Sequence, residues 1–199
     1  MGLALGMAAA LNSNANPDLL FDPGFESGTP VAGAIGGWET LVDATFSQGY
    51  AHSGAWSMEN YYTGGFHGVT LQGVPATPGA DYMLTGWGFT PNALTSSSFG
   101  FLILFFTDVN DHLIGQYLTS TPLSNVSPVN TWIQLSVNGI APANATSVYA
   151  ETTLVMPGPG NTVYFDDLSL TMVPEPSALA VLSAGLGLGL LGRRRTQAG

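Results

Sequence analysis

The chain has 199 residues, the size of one domain, with 45% hydrophobic and only 8% charged residues, 26 glycines and 13 prolines. Its net charge is -10, and the only basic residues are Arg193, Arg194 and Arg195, so the chain ahead of them has no side chain suited to a nucleic-acid backbone or a phosphate clamp. With no cysteine, disulfides, thiol catalysis and cysteine-ligated metals are excluded too.

At the N-terminus, residues 1–15 read as a signal-peptide helix. The apolar run 3–11 (LALGMAAAL) is followed by Ser13-Asn14-Ala15, small residues of the kind a signal peptidase reads. The run is too short to span a bilayer. No basic residue precedes it, which points to a start upstream of Met1; the alternative is a buried N-terminal helix.

Residues 18–172 form one β-rich domain, a typical size for a β-sandwich. Strands are predicted over 55–62, 68–71, 81–89, 98–107, 113–118, 131–137, 147–155 and 162–171. Glycine, proline, asparagine and aspartate clusters separate them, among them Thr63-Gly64-Gly65, Asn110-Asp111 and residues 157–160 (PGPG). Ile133, Leu135 and Val137 alternate with Trp132, Gln134 and Ser136, the pattern of a strand with one wet face. The strand 98–107 (SFGFLILFFT) is apolar on both faces: Phe99, Phe101, Ile103 and Phe105 on one, Leu102, Leu104 and Phe106 on the other. One face belongs to the core; the other either lies under a loop or floors a ligand cleft.

An ordered set of short motifs runs through this domain. Residues 19–28 (LLFDPGFESG) open it, Gly37-Trp38 follows, then Ala51-His52-Ser53-Gly54, residues 74–82 (VPATPGADY), Trp132, and residues 165–170 (FDDLSL). In this order they resemble the jelly-roll carbohydrate-binding modules of the galactose-binding-like superfold, of the family four/nine type. The sequence departs from common members in Trp56, in Tyr61-Tyr62, and in having no basic residue in the domain.

The resemblance implies a jelly-roll β-sandwich that binds polysaccharide and holds a structural calcium. The matching positions are Glu26, backbone carbonyls near Ser53 and Gly54, and Asp166, with Asp22 or Asp167 as further ligands. A separate argument concerns Asp166. It shares strand parity with Leu168 and Leu170, so it is expected to point inward, and a buried carboxylate needs a counter-charge, strong hydrogen bonds or a proton. With no Arg or Lys to pair with it, a hard cation with oxygen ligands fits. The alternative is a carboxylate held by backbone N–H groups or exposed by a strand bulge.

Sugar rings stack on exposed aromatic faces while polar side chains fix the hydroxyls. Trp38 and Trp132 are read as core residues. The candidate platforms are Trp87, and Trp56 with Tyr61 and Tyr62 around Glu59 and Asn60; Asn92, Asn110 and Gln116 are possible polar partners. Nothing selects a catalytic pair. His52, His67 and His112 lack metal-ligand spacing, and no nucleophile elbow is present, so the domain reads as non-catalytic.

The C-terminal residues 173–195 are tripartite. Pro174-Glu175-Pro176 precedes the apolar run 178–192, and Arg193, Arg194 and Arg195 close it as a basic stop. This arrangement resembles the PEP-CTERM sorting signal of Gram-negative bacteria. It implies an exosortase-type protease as partner, a short transmembrane helix that holds the chain transiently in the inner membrane, and a final place at the cell surface or in the extracellular matrix; a permanent anchor is the alternative. Two functions compete: an exported polysaccharide-binding protein, or a structural surface or matrix protein that meets other proteins and binds no sugar.

Overall fold

The strand patterns of the sequence assemble, in a computed structural model, into ten strands. The structure describes residues 16–30, 37–64, 67–156 and 158–174. The proposed signal-peptide helix, residues 175 and 176 of the Pro-Glu-Pro motif, the apolar run and the arginines lie outside the described residues. Among the described residues no helix is long and apolar enough to cross a membrane.

The strands are β1 (Glu39–Val42), β2 (Ala44–Ser47), β3 (Ser57–Tyr61), β4 (His67–Pro75), β5 (Asp81–Phe89), β6 (Phe99–Thr107), β7 (Leu113–Thr119), β8 (Ile133–Ile140), β9 (Ser147–Val155) and β10 (Thr162–Val173). They pair antiparallel in two five-stranded sheets, ordered β1-β4-β9-β6-β7 (sheet A) and β2-β3-β10-β5-β8 (sheet B). The fold is therefore all-β, as expected, with the predicted strands in place and two short edge strands, β1 and β2, in addition.

Between the sheets lies one core. Period-two alternation turns Leu84 of β5, Leu102, Leu104 and Phe106 of β6, Leu135 of β8, Val148 and Leu154 of β9, and Phe165 of β10 inward. Trp38 is buried there as expected, its indole Nε1 donating to the Asp22 carbonyl at 2.8 Å. A polar bridge crosses the core: Asn60 of β3 donates to the Thr152 carbonyl of β9 at 3.3 Å, and the Thr152 hydroxyl donates back to Asn60 Oδ1 at 3.2 Å. Both residues are fully buried, so leaving either partner unmatched is costly and the bridge fixes how the sheets face each other.

The opening segment is fastened to the closing strand. Leu19 N donates to the Leu170 carbonyl, Leu168 N to the Pro23 carbonyl, and Asp18 Oδ1 accepts from both Leu20 N and Leu170 N. Gln72 of β4 imitates a backbone pair, accepting from Phe21 N at 2.6 Å and donating to the Phe21 carbonyl at 2.9 Å. These bonds drive Phe25 into the core.

Asp43 stands between β1 and β2, with φ at 42°, and passes the chain from one sheet to the other. Its carbonyl accepts from Tyr61 N at 2.9 Å, and its carboxylate takes Thr63 N at 3.2 Å and the Thr63 hydroxyl.

The two faces of β6 differ in what their loss would do. Leu104→Ala, on the core face, is expected to lower unfolding free energy in urea by about 2–5 kcal/mol. Tyr117→Ala, on the exposed face of neighbouring β7, is expected to stay within about 0.5 kcal/mol of the parent protein.

Candidate functional site

The second apolar face of β6 opens onto a groove rather than lying under a loop. It has a volume of about 450 Å³ and runs over the outer face of sheet A. Strand register sets out this outer face in rows, and Phe105, Leu71, Glu151, Ile103, Val69 and Thr153 of them line the groove. Gly73 of β4, Tyr149 of β9 and Phe105 of β6 form one row, Leu71, Glu151 and Ile103 the next, and Val69, Thr153 and Phe101 the third. Leu41 and Val42 of β1 rise on one side, and Tyr117 of β7 on the other; all three are exposed.

One row is an aromatic rung. Phe105 and Tyr149 stack at 4.8 Å with an interplanar angle of 4°, and Tyr117 meets Phe105 edge-on at 5.0 Å. Gly73 permits this, because a Cβ there would fall 2.6 Å from the Tyr149 ring. The Tyr149 hydroxyl reaches Asp111 at 3.5 Å; burial first, and then the Asp111 charge, push that phenol above its ordinary range.

Glu151 sits beside the rung, between Leu71 and Ile103, and is only 8% exposed. Among the described residues no donor reaches its carboxyl by a hydrogen bond, and none of the three arginines lies in the domain. Burial alone pushes it from 4.5 up to about 7. Among the described residues it is the one carboxylate lining the groove; Thr153 and His67 are its polar neighbours there.

A second cluster occupies the outer face of sheet B. His52 stacks on Trp87 at 4.2 Å and meets Trp132 edge-on at 5.4 Å. Trp132 in turn lies 5.1 Å from Phe89, and Tyr50 4.7 Å from Phe89. Trp132 thus belongs to this outer cluster and not to the core expected for it: it precedes Ile133, whose side chain takes the inward turn of the alternation. Burial raises the Tyr164 phenol, with Glu59 adding to the shift.

The four aromatics singled out from the sequence do not share one place. Trp87 and Tyr61 face outward on sheet B. Trp56 lies on the inner side, across Gly28, where an added Cβ would come within 2.9 Å of the indole. Tyr62 follows β3, half-buried. The groove's Phe105 and Ile103 were legible as an apolar face of β6. Tyr117 and Glu151 were not singled out, because neither carries a motif and only the register brings them to one trough.

The proposed calcium residues do converge at one end of the sandwich. Glu26 accepts from Ala55 N at 3.0 Å and Trp56 N at 3.1 Å. Gly54, with φ at 61°, lies so close that a Cβ would fall 2.2 Å from Glu26 Oε1. Asp166 Oδ2 accepts from His52 N at 2.7 Å and Ser53 N at 3.1 Å, and its Oδ1 from Asp167 N at 2.7 Å. Burial raises Asp166 to about 6, with these N–H groups opposing. Asp167 takes His52 Nδ1 at 2.6 Å and the Ser53 hydroxyl at 2.7 Å.

Asp166 is buried as expected, but not on the core side. It pairs across from Trp87, on the outer face beneath the His52–Ser53 turn. A register shift between Asp166 and Ser169, with Asp167 at a φ of 46°, changes the strand's parity before Leu168 and Leu170 turn inward. Carboxylates are ligands a hard cation takes, but the loop presents N–H groups to them. Among the described residues no three acidic or histidine side chains gather as a metal-holding group.

No family model matches the chain, and no curated protein does. Solved structures do match. The enzymatically active domain of tailspike protein 4 from bacteriophage CBA120 aligns with 78% of this chain at a TM-score of 0.60 and 12% identity; this chain spans only 21% of that one. TmCBM61, solved with β-1,4-galactotriose, aligns over 79% of this chain and 99% of its own, at a TM-score of 0.56 and 15% identity. The CBM22-1 xylan-binding domain of Paenibacillus barcinonensis Xyn10C covers 81% of this chain and 97% of its own, at a TM-score of 0.54 and 13% identity. At these identities the likeness is one of fold: the jelly-roll β-sandwich of carbohydrate-binding modules.

Glu151 makes the groove's charge measurable. A carboxyl whose pKa rises on folding favours the folded state when protonated. That contribution is full below pH 4.5 and is lost as pH rises through 7. At about 1.4 kcal/mol per pKa unit the loss is about 3 kcal/mol. Glu151→Gln is expected to melt at least about 5 °C above the parent at pH 8 and to match it near pH 4, by calorimetry across that range. Glu39 and His67 on the flanking strands are unchanged by the substitution.

Proposed function

We propose that this protein is an exported, non-catalytic β-sandwich that binds polysaccharide in the groove of sheet A. The observation that carries the reading is the second apolar face of β6: it floors an open trough where Phe105 and Tyr117 meet beside a buried carboxyl. A trough suits a chain-like ligand, and tyrosine and phenylalanine faces suit the C–H faces of sugar rings. The jelly-roll neighbours that bind galactotriose and xylan support it. Hydrolysis of a glycosidic bond ordinarily needs two carboxyl groups across the substrate, and this groove is lined by one.

The route to the surface rests on the sequence ends. The signal peptide implies export. Pro174, Glu175 and Pro176 with Arg193, Arg194 and Arg195 imply release by an exosortase-type protease at the inner membrane of a Gram-negative bacterium. The cell surface or extracellular matrix is then the site of action.

A glycan array on the purified protein, run with millimolar calcium, tests the binding reading. Saturable binding to one neutral glycan class is expected, with no release of reducing ends. Tyr117→Ala is expected to bind about tenfold more weakly, a difference of about 1.4 kcal/mol. Loss of binding in Trp87→Ala or Trp56→Ala instead would move the site to those aromatics. A blank array from folded protein would favour a structural surface role with protein partners.

Calcium is proposed at the end of the sandwich where Glu26, Asp166 and the Ser53–Gly54 turn meet. Support comes from the Asp166 and Asp167 carboxylates beside Gly24, with Glu26 near them and no lysine or arginine in the domain. Chelation is expected to lower Tm by several degrees, about 1–2 kcal/mol of linkage at modest saturation. An unchanged Tm would leave the backbone N–H cradle as the whole answer.

A further inference from the structure

The groove's lining says which polysaccharides it suits, and this inference rests on the polysaccharide reading. A fully hydroxylated sugar chain needs a hydrogen-bond partner for each hydroxyl taken out of water, and a stranded hydroxyl weakens binding. Along this trough the polar side chains are few: Glu151, Thr153, His67 and the Tyr117 hydroxyl. The floor between them is aliphatic, with Val69 and Ile103 as its central rows, and the β1 rim is aliphatic as well.

Charge narrows the choice further. No lysine or arginine stands in the domain, and the chain carries a net charge of -10. A uronate or sulfated chain would be repelled and would find no cation to pair with. Glu151 is more than nine-tenths buried, lines the trough, and has no hydrogen-bond partner among the described residues. In its protonated form Glu151 donates its O–H to an ester carbonyl lying along the row between Leu71 and Ile103, and the methyl of the same ester covers aliphatic floor.

We infer that the groove selects neutral glycans carrying O-acyl esters, with Glu151 meeting the ester and Val69 and Ile103 receiving its methyl group.

The test is affinity electrophoresis of the full chain in a zwitterionic, sugar-free detergent, through gels containing acetylated glucomannan or the same polymer after mild alkaline deacetylation. The acetylated polymer is expected to retard the protein with an apparent Kd about tenfold or more below that of its deacetylated partner, the range one methyl-sized group commands in an apolar pocket. Alginate is expected to give no retardation. Ile103→Thr is expected to reduce the difference between the two glucomannans to about twofold or less, through weaker retardation by the acetylated polymer. Val69→Thr serves as the second variant if Ile103→Thr melts below working temperature. Equal retardation by both glucomannans, or strong retardation by alginate, overturns the inference and leaves polysaccharide binding standing. Failure to bind either glucomannan, together with a blank neutral-glycan array, overturns both.

Discussion

Carboxylates in this domain have no lysine or arginine to meet, only histidine beside Asp167 and Asp108, and much of the structure follows from where their charge goes instead. Asp18 takes two backbone N–H groups, Asp108 two, Asp166 three, and Glu26 the N–H groups of Ala55 and Trp56. A carboxylate accepting several N–H groups is as well satisfied as one in an ion pair, and it also fixes the backbone that supplies them. The acidic residues therefore act as clamps on loops. Asp18 ties the opening segment to β10, Glu26 ties it to the turn before β3, and Asp166 with Asp167 ties that turn to the end of β10. The bends of the domain are set by negative charge seeking N–H groups.

Glu151 departs from that pattern, and the departure marks the groove. It lies mid-strand in β9, where neighbouring N–H groups are committed to the ladders with β4 and β6, so no loop can be folded around it. Burial without a protein donor pushes the carboxyl up to about 7, so that both its protonated and ionised forms are accessible near neutrality. In its protonated form a buried acid of this kind is a hydrogen-bond donor set in an apolar wall, a combination suited to recognition rather than to the stability of the free protein. Sheet B shows the opposite solution. Its outer aromatics, His52, Trp87, Phe89 and Trp132, cover one another, and their faces are largely used within the protein.

The strands were legible because period-two alternation survives in nearly all of them, and β5 and β9 have the predicted limits. Both faces of β6 were legible for the same reason. The edge strands β1 and β2 were not: each has four residues, too few for alternation to stand out, and tertiary pairing with β4 and β3 makes them strands. The face of Asp166 was misread because parity counts forward only while the ladder is regular, and a bulge intervenes at Asp167. Tyr117 and Glu151 became neighbours of Phe105 through register across three strands, information that no single stretch of sequence contains.

The turn at Asp43 links this architecture to the groove. One residue hands the chain from the edge of sheet A to the edge of sheet B, and Asp43 is itself anchored to Tyr61 and Thr63 at the end of β3. The β1 wall of the trough, Leu41 and Val42, therefore hangs from a hinge fastened to the opposite sheet. Because β1 is a short edge strand paired on one side only, it is the natural place for local opening. Fraying there would widen the trough and loosen the far edge at the same time, so a ligand that grips Leu41 and Val42 would quiet motion in β2, a strand it never touches.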